Sequence, residues 1–67
     1  MNIYDKINII DKRLNTYNIN LVEHKRILIE EFDNLQEGDQ EVIKDQINQI
    51  QSKIAVLIKI KQELLNI

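Results

Sequence analysis

The 67-residue sequence has no cysteine, no proline and no tryptophan, and it has one glycine, one histidine and one alanine. Without cysteine there is no disulfide and no thiolate metal site. A single histidine makes a protein-only zinc centre a poor expectation. The lack of proline and glycine removes the usual punctuation of sheets and tight turns. No cofactor and no metal are expected. A chain this short buries little apolar surface by itself, while ordering each residue costs roughly 1.5 kcal/mol. With staples absent, association with another chain is the remaining source of stability.

What is present is aliphatic and charged. The chain is 43% hydrophobic and 30% charged, a composition of helix and coiled coil. Its Ile, Asn and Lys usage hints at an AT-rich coding sequence, as in low-GC bacteria and their phages. The net charge of −2 makes it a weak generic ligand for nucleic acid or anionic membrane, since phosphates demand clustered Lys and Arg. Asp5 and Lys6 interrupt any leader-like apolar run, and Lys59 and Lys61 interrupt the most apolar stretch. A cytoplasmic protein without a membrane partner is expected. The segment Ser52 to Ile67 is wide enough in apolar face for a membrane surface, but it lacks Trp and Phe. It therefore reads as a core or oligomer contact.

Two stripes organise the chain. Ile3, Ile7, Ile10, Leu14, Tyr17, Leu21, His24, Leu28 and Leu35 alternate steps of mostly three and four. Ile43, Ile47, Ile50, Ile54, Leu57 and Leu64 continue the rhythm, with Lys61 as its exception. That period predicts two helices with coiled-coil seams, over residues 2–35 and 40–66 of one domain spanning 1–67. Gln36-Glu37-Gly38-Asp39 reads as the short acidic loop, with Gly38 ending the first helix and Asp39 capping the second. So short a link makes the helices antiparallel. The fold class is all-α, an antiparallel helical hairpin.

If facing residue numbers add to about 78, Leu35 meets Ile43, Leu28 meets Ile50 and Leu14 meets Leu64. His24 then meets Ile54 and Tyr17 meets Lys61. Glu31 takes one seam slot, with Phe32 beside it able to turn in. The weak helix formers of 15–20, where Asn20 and Glu23 resemble a capping box, allow a break, but the seam runs through in phase and favours a continuous helix. In this register Ile3, Ile7 and Ile10 overrun the second helix, while Val56, Ile58, Ile60 and Leu65 lie outside its seam. These seven residues are the expected contacts between chains. Val22, Ile27 and Ile29 make a further strip.

Charge supports assembly. Residues 1–29, 30–45 and 46–67 carry +2, −6 and +2, which add to the overall −2. Two hairpins with loops at opposite ends would place unlike charges together. Leu at a positions and Ile at early d positions lean toward four strands. An antiparallel homodimer forming a four-helix bundle is expected, with a larger protein as the other partner class.

Catalytic chemistry finds no footing. Ser52 and Thr16 have no base at a useful spacing, and His24 is followed by Ile27 and Leu28 at +3 and +4. His24 reads as a packing residue, with a pH-sensing contact as the alternative. The acidic run departs from a calcium loop, with Leu35 at its third position and Lys44 where a Glu ligand is required. It reads as a solvated tip or a dock for a basic partner. In overall shape the chain is similar to the Rop family of RNA-binding plasmid regulators, hairpins that dimerise into four-helix bundles. That likeness implies an alternative reading, in which Lys12, Arg13, Lys25 and Arg26 bind structured RNA, and it carries over no functional residue. The leading reading is a non-catalytic association module: an adaptor, an inhibitor or a structural part of an assembly such as a phage particle.

Overall fold

The computed structural model describes residues 2–67 and contains two long antiparallel α-helices and no strand among them. Helix α1 spans Ile3–Glu30 and helix α2 spans Glu37–Leu65, joined through a short 3-10 turn at Phe32–Asn34. The hairpin measures 48 × 15 × 14 Å.

Local chemistry explains each boundary. Asn2 caps α1 from an extended backbone, its Oδ1 accepting from the Asp5 amide at 2.8 Å, and Asp5 sits where the helix dipole favours negative charge. The helix runs without a break through 15–20, as the in-phase seam predicts; Thr16 Oγ1 donates back to the Lys12 carbonyl. It ends at Glu30, five residues short of the expected 35. Glu30, Glu31 and Asp33 would all stand at the negative end of the dipole, and Asp33 and Asn34 are weak helix formers. The same kind of charge belongs at a helix start, and α2 begins with Glu37 and Asp39 in its first turn. The acidic cluster thus pulls the turn upstream. The cap of α2 is Gln36, not Asp39, and Gly38 lies inside α2 with no left-handed backbone.

This shift corrects the register. Asp11 meets Lys61, whose numbers add to 72, and the Tyr17 ring lies 5.8 Å from Lys53 Nζ, numbers adding to 70. Ile7 and Leu64, adding to 71, line one hollow. Facing numbers therefore total 70–72 rather than 78. The pairs become Leu28 with Ile43, His24 with Ile47, Leu21 with Ile50, Tyr17 with Ile54, Leu14 with Leu57 and Ile10 with Lys61. The displacement is one heptad, so the seam keeps its members, and every one of these residues is buried or half-buried. Leu35 falls in the connection, and Glu31 and Phe32 are exposed rather than filling a seam slot.

Gln40 ties the closed end together, its Nε2 donating to the Phe32 and Leu35 carbonyls at 3.3 Å each. Among the described residues the buried core is only Ile10 and Ile47, 7% and 8% exposed. Two helices side by side hide a single seam, and most seam side chains keep one edge in water.

Candidate association surfaces

Because α1 now reaches alongside the end of α2, the expected contact residues divide. Ile10 is buried and Ile7 half-buried within the chain's own seam, which corrects the expectation that they overrun the second helix. Lys61, opposite Ile10, sends its ammonium to Asp11 at 2.7 Å, so its aliphatic stem runs along the seam. Ile3 sits at the border of exposure. Val56, Ile58, Ile60 and Leu65 are exposed, but they do not form one patch.

Residues seven apart return to nearly the same side of a helix, so each flank of the seam is a readable strip. On one flank α1 places Lys6, Arg13, Asn20 and Ile27, and α2 places Gln46, Lys53 and Ile60. Arg13 and Lys53 line a common apolar groove of about 340 Å³ with Tyr17, Val56 and Leu57, which puts both strips and Val56 on one face. On the other flank lie Tyr4, Asp11, Asn18 and Lys25 with Lys44, Gln51, Ile58 and Leu65. Tyr4 and Leu65 share the hollow at the open end with Ile3, Ile7, Leu64 and Ile67. Val56 and Ile60 thus belong to the Arg13 face, and Ile58 and Leu65 to the Tyr4 face.

Ile9 and Val42 extend the Arg13 face, one position further out on each helix, and both are exposed. Val42 and Ile19 were not picked out from the sequence. Ile19 is a lone apolar residue among polar neighbours, and Val42, beside the seam residue Ile43, is marked only by lying two heptads before Val56.

The electrostatics are local. Arg26 donates from Nε to Glu23 at 3.1 Å and from Nη1 to Glu30 at 2.8 Å. Hydrogen bonding from Arg26 holds the Glu23 carboxyl below its ordinary value of 4.5, and the two carboxylates raise the Arg26 guanidinium above its own. His24 is half-buried, and its Nδ1 donates to the Asn20 carbonyl at 2.7 Å. A carbonyl only accepts, so Nδ1 carries the proton and Nε2 is left facing outward from that bond. Glu31, the only acid that shares the seam phase with His24, lies beyond the helix end. Ser52 Oγ is spent on the Asn48 carbonyl, as Thr16 is on Lys12.

Among the described residues, no three acidic, histidine or cysteine side chains come together to hold a metal ion, and no helix is long and apolar enough to cross a membrane. No family model matches this chain, and no curated protein or solved structure matches it.

Proposed function

We propose that this chain is a small non-catalytic protein that acts by associating with helices of other chains, its own copies included. One observation carries the reading: among the described residues, thirteen large apolar side chains stay exposed while two are buried. Fully burying one such side chain is worth about 1.5–3 kcal/mol, so the hairpin leaves much of its own apolar surface unused. Both flanks of the seam contribute, which suits a bundle of more than two helices. A cytoplasmic adaptor, an inhibitor of a larger protein or a component of a phage or bacterial assembly fits this behaviour. The spent hydroxyls of Ser52 and Thr16 support a non-catalytic role. RNA binding draws less support, because Arg26 is occupied by Glu23 and Glu30 and Lys61 by Asp11.

Light scattering with circular dichroism tests the reading. A mass above the 8.0 kDa of one chain is expected, with a melting temperature that rises with protein concentration. Replacing Ile58 and Ile60 by Glu, one on each face, should return the mass to a single chain. A wild-type protein that stays at one chain's mass, with a melt indifferent to concentration, sinks the reading.

A further inference from the structure

We propose that the Arg13 face is the contact between two copies of this chain, packed with their loops at opposite ends and α1 against the partner's α1. This rests on the helix-association reading and names its partner, face and orientation. The warrant is self-complementarity along the α1 strip.

A two-fold axis across the hairpin at the level of Asn18 pairs α1 residues whose numbers add to 36. Lys6 then meets the partner's Glu30, Ile9 the partner's Ile27, Arg13 the partner's Glu23 and Thr16 the partner's Asn20. Cation meets anion, apolar meets apolar and polar meets polar, and symmetry supplies each pair twice. On α2 the face pairs residues adding to 109, with its centre between Ile54 and Ala55. There Gln46 meets the partner's Glu63, but Lys53 meets the partner's Val56 and Gln49 the partner's Ile60, so the complementarity is carried by α1. One axis has to serve both helices. Residue 18 on α1 with the midpoint between 54 and 55 on α2 totals half a residue, about 0.8 Å of helix rise, more than the 70–72 that the hairpin's own register shows.

The competing arrangements lack this match. With loops at the same end, α1 faces the partner's α2 at numbers adding to 72 or 73. Ile9 then meets the partner's Glu63, Ile27 the partner's Gln46, Ile60 the partner's Arg13 and Val42 the partner's Glu30. Each apolar residue lands on a polar one, and the acidic loops crowd together. The Tyr4 face used antiparallel matches Tyr4 with the partner's Ile29, but sets Val22 on the partner's Asp11 and Leu65 on the partner's Lys44. Size also suits a dimer: a face 48 Å by 15 Å offers about 700 Å² per copy, close to the ~800 Å² per partner of a specific interface.

The absence of cysteine makes the test clean. Ile9→Cys and Ile27→Cys chains, mixed and mildly oxidised, should give a disulfide-linked pair, whereas each variant alone should not. Independently, Lys6→Glu and Glu30→Lys should each weaken self-association about tenfold, and a one-to-one mixture should restore it. Both positions are exposed, so the seam is untouched, and circular dichroism checks that the helices persist. Suppose the protein is a dimer by mass, yet the Ile9→Cys variant links to its own copies or the mixture fails to link. Either result overturns this face and orientation while leaving helix association standing. A single-chain mass throughout overturns both.

Discussion

At the closed end of the hairpin, a six-residue connection and the Gln40 bonds to the Phe32 and Leu35 carbonyls hold the helices together. At the open end no covalent link helps, and closure falls to side chains. There Ile10 is buried, Ile7 and Leu64 share a hollow, and Lys61 reaches across to Asp11. Charge divides the same way, with the acidic run gathered at the closed end. Where connectivity supplies proximity, Leu28 and Ile43 are only half-buried; where it does not, the chain has placed its densest aliphatic sequence. The apolar surplus on the flanks of the open end is what an additional helix pair would cover.

The largest expected effect tests that division directly. Ile10→Ala at the open end should destabilise by about 2 kcal/mol, and Leu35→Ala in the connection by about half as much, measured by denaturant unfolding at one protein concentration. Equal losses at the two sites would break the comparison. A smaller effect of opposite sign belongs to the closed end. Gly38 is helical, and a Cβ there meets nothing within 4 Å. Gly38→Ala should therefore stabilise by up to about 1 kcal/mol in a thermal melt. A loss would mean that Gly38 adopts a left-handed cap, as its position in the sequence first suggests. The smallest effect compares two ion pairs. Lys61→Ala breaks the long-range bridge to Asp11 and uncovers Ile10, and should cost about 0.5–1 kcal/mol, less in high salt. Lys44→Ala breaks only a local 3.6 Å contact with Glu41 and should cost close to nothing. If salt and substitution affect both alike, the open end does not depend on its bridge.

Much of this was legible beforehand. The two helices, their antiparallel course, the continuity through 15–20 and the membership of the seam all follow from the spacing of Ile and Leu. Half-buried Ile27 and Gln40 are the seam-edge residues that the spacing did not include. The turn was misplaced because Gly38 is the only glycine and attracts the assignment, although a helix interior tolerates it. The weight of Glu30, Glu31 and Asp33 against the helix dipole was the better signal.

Residue spacing alone determined which side of each helix faces its neighbour, because a 3.5-residue period leaves one apolar edge per helix. It did not decide how far one helix slides along the other. A seven-residue slide sends every seam position onto another seam position, so totals of 71 and 78 satisfy the pattern equally well. The position of the turn lifts that degeneracy, through acids that end α1 at Glu30 and begin α2 at Glu37. That choice moved Ile7 and Ile10 from the expected outer surface into the chain's own seam, and left the flanks as the surface on which another chain can pack.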